Sequence, residues 1–271
     1  MKKIRILSVI LLLIAVALFG LYKVNEIRTR DSLPPVITLP SDSITASVSI
    51  TEEELLEGVV AKDDISGDVT DTLVVEKISS FTEEHTRIIT YAAIDDKHNV
   101  GRIQRTLVYT DYEAPTFTLN QPLRIPMGKS ANLFSIIGAQ SVLDGDLSNK
   151  VKYSVNSTIE VGKTGAYEIE FRVTDSSGNV EYLKTILEVY DGSAEKLKVA
   201  LTDYLIYLPI GAKFEPNGYY INDDEGEAEG EEKRLTISGE VDTATPGVYY
   251  VTYTVESEMG KGVSKLVVVV R

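Results

Sequence analysis

The feature that most constrains this chain is a repeat with a period of about eighty residues. The stretch Phe171 to Asp191 reads FRVTDSSGNVEYLKTILEVYD, and Tyr91 to Asp111, eighty positions earlier, reads YAAIDDKHNVGRIQRTLVYTD without a gap. Five residues of the later copy recur at matching places in the earlier one: Asp175, Asn179, Val180, Leu187 and Asp191. A looser copy follows at Tyr253 to Val270. A fixed period of this length indicates a tandem array of small, similar domains.

Each copy has the pattern of two strands joined by a tight turn. Apolar and polar residues alternate on both sides of a turn that contains Asp175, Gly178 and Asn179, which is typical of a half-buried hairpin. Strand-forming Val, Ile, Thr and Tyr are abundant, and the 15 Tyr residues stand against no Trp. We therefore predict an all-β fold with three tandem units at 34–111, 112–191 and 192–271, preceded by a segment at 1–33.

The segment at 1–33 predicts a transmembrane helix. Residues 6–22 carry no charge and follow a basic cap of Lys2, Lys3 and Arg5. This pattern predicts an uncleaved signal anchor that crosses the membrane once, with the N-terminus in the cytoplasm and the later units outside the cell. The run Ala15-Val16-Ala17 leaves an alternative open, in which the segment is cleaved and the protein is secreted.

Local signals place several elements within the units. Thr51 followed by Glu54 predicts a short helical turn, and Thr86 to Ala93 with Arg102 to Tyr109 predicts the last hairpin of the first unit. Gly165, which precedes a strand, is predicted to need a positive φ. The third unit is the most divergent, with Ser257 where Asp175 has its counterpart.

Composition excludes several classes of function. The net charge is −14, and residues 1–30 hold six basic residues and one acid, so the acidic excess lies in the three units. Such a surface argues against nucleic-acid binding. With no Cys, the chain has no disulfide and no thiolate site. No nucleophile elbow, zinc-protease motif or phosphate-binding glycine loop is present, so we expect no enzymatic activity.

The order of motifs resembles a known family of repeats. A proline-led strand, an acid-Gly-Asp loop, a Gly-x-Tyr strand, an Asp-x-x-Gly-Asn turn and a closing strand ending in Asp follow one another. The residues of the second unit that carry this order are Pro115, Asp144, Gly145, Asp146, Gly165, Tyr167, Asp175, Gly178, Asn179 and Asp191. The order resembles the bacterial immunoglobulin-like repeats described from an insecticidal crystal toxin, and the related hyalin-type repeats.

This resemblance covers residues 34–191 well and 192–271 weakly. The first unit departs from the pattern, since His85, Arg87 and His98 replace the two glycines and the tyrosine of the second unit. The resemblance implies three immunoglobulin-like β-sandwiches that act as spacers and interaction modules on bacterial surfaces. Fold alone does not settle function.

Two interpretations fit the acidic loops. Asx side chains that bond nearby backbone N–H groups explain them as turn chemistry, without a ligand. Alternatively, acidic loops supply the oxygens that Ca²⁺ requires, although no other cofactor is indicated. The candidate calcium ligands are Asp63, Asp64, Asp68 and Asp95 in the first unit and Asp144, Asp146 and Asp175 in the second.

Two further features are best explained as surface chemistry. Residues 222–232 hold seven acids in eleven positions and lack the glycine spacing of an EF-hand, so we expect a solvated charged loop. The two histidines, His85 and His98, lie in predicted turns and are expected at the surface.

The sequence therefore predicts a non-enzymatic, membrane-anchored protein on the outside of a bacterial cell, with its partner a surface or wall protein or a glycan. Three units end to end would reach on the order of 100 Å, given about 3.3 Å per strand residue. This geometry suits a spacer or adhesion module. The alternative is a secreted or tethered module that binds glycan or calcium and supports wall assembly.

Overall fold

The computed structural model describes residues 2–29, 31–130, 132–216, 218–222, 234–258 and 260–271. Its contacts divide the chain into two compact units, Met1–Thr110 and Asp111–Arg271. Strands arranged in sandwiches dominate the regular structure of the described residues, which confirms the predicted all-β class. The predicted division into three domains stays a prediction. The acidic loop at 222–232 lies outside the described residues, except for the backbone of Asn222 at the end of a strand.

The first unit begins with a helix, α1 (Lys2–Thr29). Within the described residues, no helix combines the length and the apolar character that crossing a membrane requires. The transmembrane helix and signal anchor predicted over residues 6–22 are therefore not supported.

Two sheets build the rest of the first unit. The first sheet has the order β1-β3-β4 and contains β1 (Val36–Thr38), β3 (Val60–Asp63) and β4 (Gly67–Asp68). The second has the order β2-β7-β6-β5 and contains β2 (Ser43–Ala46), β5 (Val74–Ile78), β6 (Thr86–Ile94) and β7 (Val100–Tyr109). The β6–β7 pair is the predicted last hairpin, and its two strands pair from Thr86 to Ile94.

A short helix, α2 (Glu52–Leu56), connects the two sheets of the first unit. The side chain of Thr51 accepts the N–H of Glu54 at 3.3 Å, and the Glu54 carboxylate accepts the N–H of Thr51 at 2.9 Å. This reciprocal capping box satisfies two N–H groups that a helix start otherwise leaves unpaired. The predicted helical turn is confirmed, and the capping residues are those that the sequence identified.

The second unit opens with a sandwich that repeats the first. One sheet, β8-β10-β11, contains β8 (Thr116–Leu119), β10 (Ile137–Ser141) and β11 (Gly145–Asp146). The other, β12-β13-β14-β9, contains β9 (Arg124–Pro126), β12 (Lys152–Val155), β13 (Gly165–Thr174) and β14 (Val180–Tyr190). The stretch from Phe171 to Asp191 is thus the predicted strand, turn and strand.

The remaining strands of the second unit form a third set, whose larger sheet has the same strand order as those of the first two. One sheet pairs β15 (Lys198–Leu201) with β17 (Tyr219–Asn222). The other, β16-β20-β19-β18, contains β16 (Leu205–Leu208), β18 (Leu235–Ser238), β19 (Gly247–Ser257) and β20 (Gly260–Val270). In all three sets a short strand lies parallel to the last strand: β2 to β7, β9 to β14 and β16 to β20. The sequence repeat is therefore a repeat of topology.

The role predicted for Gly165 is wrong. Gly165 begins β13 without a positive φ, and a Cβ there would lie 3.4 Å from the ring of Tyr167. Gly247 has the same relationship with Tyr249. Both tyrosines donate to an upstream carbonyl, Tyr167 to Glu160 at 3.3 Å and Tyr249 to Thr245 at 2.9 Å. The Gly-x-Tyr motif thus makes room for a tyrosine that ties the strand start to the preceding loop.

Candidate functional site

Three carboxylates of the first unit converge at one end of its sandwich. One oxygen each of Asp31, Asp63 and Asp95 lies within 4.8 Å of the others. Asp63 is 9% exposed and Asp95 is 5% exposed, while Asp31 is half-buried. Two of these residues, Asp63 and Asp95, are calcium candidates identified from the sequence. We call Asp31, Asp63 and Asp95 the acidic cluster.

Asp63 is fixed at the end of β3 by the turn that follows it. Its Oδ1 accepts the N–H groups of Ile65 at 2.9 Å and Ser66 at 2.7 Å. These bonds, from Ser66 first and then Ile65, hold the pKa of Asp63 below its usual value, while burial and the nearby Asp95 oppose them. Asp63 is therefore charged, buried and held in one position.

Asp95 is fixed by the turn between β6 and β7. Its Oδ1 accepts the N–H groups of Lys97 at 2.7 Å and Asn99 at 2.8 Å, and its Oδ2 accepts the side-chain amide of Asn99 at 2.7 Å. Burial acts to raise the pKa of Asp95, but the bonds from Asn99 and Lys97 outweigh it and lower the pKa. The turn chemistry predicted for Asp95 and Asn99 is present.

Asp31 reaches the cluster because the chain before β1 runs close to β7. A Cβ on Gly101 would lie 2.0 Å from the carbonyl oxygen of Pro35, so only glycine admits this approach. Val36 pairs with Lys62, next to Asp63, and the chain before it continues past the end of β3. Oδ1 of Asp31 accepts the N–H of Leu33 at 3.1 Å, whereas Oδ2 is buried and has no hydrogen-bond partner among the described residues.

Asp64 and Asp68 do not join the cluster. Both are exposed, and Oδ1 of Asp68 accepts the N–H of Thr70 at 3.0 Å. Hydrogen bonds from Thr70 lower the pKa of Asp68, which acts as a turn residue ahead of the short 3₁₀ helix Thr70–Thr72.

In the second unit the corresponding acids are satisfied by protein donors. Oδ1 of Asp175 accepts from the N–H and hydroxyl of Ser177 and from the N–H of Asn179, and Oδ2 accepts the hydroxyl of Tyr112 at 2.6 Å. Ser141 stands where the first unit has Asp63, because each is paired with the first glycine of the next strand. The position that corresponds to Asp63 therefore gives Asp175 a serine as neighbour and not a second carboxylate.

Asp144 and Asp146, the other candidates of the second unit, also accept hydrogen bonds from backbone N–H groups. Oδ2 of Asp144 accepts the N–H of Ser176 at 2.6 Å, and Oδ1 of Asp146 accepts the N–H of Ser148 at 2.9 Å. Among the described residues, the first unit's cluster is the group of three or more possible metal ligands that comes together. The candidates of the second unit are not part of such a group.

Both histidines occupy turns, as predicted. His98 is exposed and His85 is half-buried, and each has a positive φ, of 69° and 57°. His98 takes the place of Gly178, whose φ is 84°. Arg87, which replaces the tyrosine of the Gly-x-Tyr motif, is buried and donates through Nε to the carbonyl of Ser79 at 2.6 Å.

A second candidate region joins the sandwich β8–β14 to the strands β15–β20, and sequence reasoning missed it. Its centre is Arg124, whose side chain is 5% exposed. The guanidinium makes two hydrogen bonds to the carboxylate of Glu195, at 3.1 and 2.9 Å, and one to Glu188 at 3.1 Å. It also donates to the carbonyl of Val263 at 2.7 Å and lies 3.9 Å from the centre of the Tyr190 ring.

Further contacts cross the same region, which we call the Arg124 junction. Nζ of Lys265 lies 2.6 Å from Glu188, and the N–H of Phe117 donates to the hydroxyl of Tyr207 at 2.9 Å. Burial acts to raise the pKa of Glu188, but Lys265 and Arg124 outweigh it and lower that pKa. Leu205 and Val267 belong to the same buried cluster as the core of the sandwich β8–β14. The apolar core is therefore continuous across the junction.

A groove of about 470 Å³ lies beside the junction. Its lining includes Asn156, Glu168, Lys184, Thr185 and Tyr250. The hydroxyl groups of Tyr250 and Thr185 lie 3.3 Å apart, and Nδ2 of Asn156 donates to Glu168 at 3.0 Å. Its lining thus combines hydrogen-bonding groups with one aromatic ring.

Parts of this chain are similar in sequence to known proteins. A family model described as a bacterial surface protein Ig-like domain matches residues 201–267. The chain is 27% identical over 213 residues to the pesticidal crystal protein Cry22Aa of Bacillus thuringiensis, which covers 76% of this chain and 28% of that protein. It is 28% identical over 95 residues to an 81.3 kDa protein of Acholeplasma phage L2, covering 34% of this chain and 13% of that protein.

Solved structures with likeness to this chain match it only loosely. Domains of ZmpB from Clostridium perfringens, including CBM51-2 in complex with GlcNAc, are 14% identical and cover 88% of this chain and 41% of that chain, with a TM-score of 0.22. Human CDH23 EC21-23 is 15% identical and covers 88% of this chain and 100% of that chain, with a TM-score of 0.19. At such scores neither likeness carries an argument about fold or ligand.

The sequence comparisons confirm the family that the motif order predicted. The segment matched by the family model lies in the third predicted unit, which the repeat pattern alone ranked as the most divergent. The similarity to the crystal protein extends over three quarters of the chain, although the chain spans only 28% of that relative. Residues 201–267 of this chain are thus similar to a bacterial surface Ig-like domain, and most of the chain is similar to part of the crystal protein.

Proposed function

We propose that this protein is a non-catalytic spacer and adhesion module at the surface of a bacterial cell. The observation that carries the proposal is the Arg124 junction, where a buried ion pair and a continuous apolar core join consecutive sandwiches. A spacer has to keep its domains in a fixed relation, and a buried bidentate Arg–carboxylate pair fixes geometry better than a surface contact. The family match supports a location at the bacterial surface.

A labelling experiment on intact cells tests the location. The chain contains no Cys, so a single Lys213→Cys substitution at an exposed position provides one reactive thiol. A membrane-impermeant maleimide should label this variant on intact cells of the source bacterium as strongly as after lysis. Labelling that occurs only after lysis would contradict the proposal, and the Cys-free parent chain is the control.

Adhesion is tested with the purified chain coupled to fluorescent beads. The proposal predicts that these beads bind to intact cells or to isolated walls of the source bacterium, whereas beads coated with albumin do not. The Arg124→Ala variant should bind more weakly, because a loose junction presents the binding surface in many orientations. Equal background binding by the chain and by albumin would refute the adhesive part of the proposal.

A glycan is the second candidate partner, and the groove beside the junction favours it. The groove has a volume in the range of small-ligand sites, which is roughly 300–1,000 Å³. Its lining supplies hydroxyl, amide and carboxylate groups together with the ring of Tyr250. Titration with soluble wall fragments should give saturable binding that Asn156→Ala weakens, and Asn149→Ala, at an exposed position outside the groove lining, should have no effect. Identical binding by both variants would place any glycan elsewhere.

A further inference from the structure

We propose that the acidic cluster of the first unit binds one Ca²⁺ ion, held by Asp31, Asp63 and Asp95. This inference goes beyond the spacer role and does not depend on it. Three carboxylates that lie this close repel one another, and the repulsion is stronger where water is partly excluded. A bound dication removes this repulsion.

The second observation is the state of Asp31. Its Oδ2 atom is buried and accepts no hydrogen bond from any residue that the structure describes, although a buried carboxylate oxygen normally has a donor. The oxygens of Asp95 and one oxygen of Asp63 receive their donors from the turns that hold them. Asp31 is thus a half-buried residue whose buried Oδ2 is unsatisfied, beside two carboxylates that are already oriented. A cation supplies the missing partner.

The ligand set selects the kind of cation. All three side chains offer oxygen only, which suits the hard cations Ca²⁺ and Mg²⁺. Mg²⁺ demands a near-ideal octahedral shell, keeps several waters and usually takes only one or two carboxylates, so three converging carboxylates favour Ca²⁺. The cluster offers one oxygen from each of its three carboxylates. Water completes the six to eight ligands that Ca²⁺ takes.

The second unit shows how the same position is arranged without a third carboxylate. Ser141 replaces Asp63, and the hydroxyl of Tyr112, eighty positions after Ser32, donates to Asp175. A hydroxyl donor there satisfies the carboxylate that corresponds to Asp95. The first unit has Asp63 and Asp31 in place of these donors, and a bound cation would balance their charge.

Calorimetric titration of the full chain with CaCl₂ tests the site. We expect saturable binding of one equivalent, with a Kd on the order of 10⁻⁴–10⁻³ M, as in other extracellular calcium modules. Asp63→Asn and Asp31→Asn should each weaken binding at least about tenfold. Asp111→Asn, eighty residues after Asp31, is the matched control and should leave the Kd unchanged.

Thermal unfolding provides an independent readout whose sign is diagnostic. In a calcium chelator, Asp31→Asn should raise the Tm of the first unit, because it removes one of three repelling charges. With excess Ca²⁺ the order should reverse, because only the parent chain gains stability from the ion. The double variant Ser32→Tyr with Asp63→Ser, which copies the second unit, should fold and show no calcium response.

Two results would overturn the proposal. The first is the absence of saturable heat and of a Tm shift in the parent chain at about 10 mM Ca²⁺, a concentration above the expected Kd. The second is binding that stays within about twofold of the parent value in both Asp31→Asn and Asp63→Asn, since each removes one of three charged ligands. Asp31→Asn keeps the oxygen that accepts from Leu33, so the test remains valid even if Asp63→Asn does not fold.

Discussion

The hydroxyl of Tyr112 donates to Oδ2 of Asp175 across 2.6 Å, and both residues are buried. Nδ2 of Asn179 in turn donates to the same hydroxyl at 2.9 Å. Tyr112 therefore links the segment before β8 to the turn between β13 and β14. In the first unit the same place is occupied by the acidic cluster, so one topological position serves two kinds of chemistry.

Replacing Tyr112 by Phe should lower the stability of the second unit by roughly 1.5–3 kcal/mol near neutral pH, the usual worth of a hydrogen bond to a charged group. The phenylalanine ring keeps the packing but leaves the Asp175 carboxylate without one donor. Unfolding in urea, followed by circular dichroism, measures the difference. Tyr182→Phe, at an exposed position, is the control and should change stability little.

The effect of Tyr112 should also depend on pH. Burial, followed by the hydrogen bond to Asp175, raises the pKa of Tyr112 to about 12, whereas an unfolded tyrosine ionises near 10. The stability that Tyr112 contributes is therefore complete below about pH 10 and is lost as the pH rises toward 12. The gap between the parent and Tyr112→Phe should narrow over that interval. A gap that stays constant up to about pH 11.5 would contradict the assigned cause.

Replacing His98 by glycine should stabilise the first unit. Its φ of 69° is costly for a residue with a Cβ, although His tolerates it better than most. We expect His98→Gly to stabilise the first unit by about 0.5–1 kcal/mol, and His98→Ala, which keeps the Cβ, to give no gain. The reverse change in the second unit, Gly178→Ala, should destabilise by about 1 kcal/mol. Denaturant unfolding of the three variants measures these differences in stability. Equal stability of His98→Gly and His98→Ala would contradict the claim that the positive φ of His98 strains the backbone.

Gly101 should tolerate no larger residue. A Cβ at this position would lie 2.0 Å from the carbonyl oxygen of Pro35, so Gly101→Ala has to displace the chain ahead of β1. A loss of more than about 2 kcal/mol is expected, in line with overpacking in a rigid core. The same substitution should weaken calcium binding, because that chain carries Asp31. Gly162→Ala, where a Cβ meets nothing within 4 Å, should be close to neutral.

The parts of the fold that the sequence predicted well are the local ones. The hairpin of β13 and β14 is indicated by the alternation of its two strands and by the Asx residues of the turn between them. The capping box depends on Thr51 and Glu54 alone. Both signals come from residues that are close in sequence. These signals do not depend on distant contacts, so they survive in the folded chain. The family resemblance was predictable for the same reason, because it rests on the order of such motifs.

The missed residues act across long separations in sequence. Asp31 lies far from Asp63 and Asp95 along the chain, and the one signal for it was an acid at eighty-residue spacing, in Asp31, Asp111 and Asp191. Arg124 bonds to Glu188, Glu195 and Val263, which lie 64, 71 and 139 positions later in the sequence. No local pattern in the sequence marks Arg124. The positive φ predicted for Gly165 is absent. The Gly-x-Tyr spacing, which recurs in Gly247 and Tyr249, reflects a contact between the glycine and the tyrosine ring instead.

Removing Arg124 should cost more stability than any surface substitution. Arg124→Ala leaves the carboxylates of Glu188 and Glu195 partly buried without their main partner, which in such pairs costs roughly 3–5 kcal/mol. Arg124→Lys restores the charge but not the two-pronged contact, so it should recover only part of the loss. Denaturant unfolding should show a single transition for strands β8–β20 in the parent and two transitions in Arg124→Ala.

The most direct test of the central claim is a distance distribution across the Arg124 junction. Because the chain has no Cys, spin labels at Lys152→Cys on β12 and Thr236→Cys on β18, both exposed, report only this distance. Double electron–electron resonance on the full chain should give one narrow distance peak, which broadens when Arg124→Ala is added. A distribution that is already broad in the parent chain would contradict the claim that the junction holds these sandwiches as one rigid spacer.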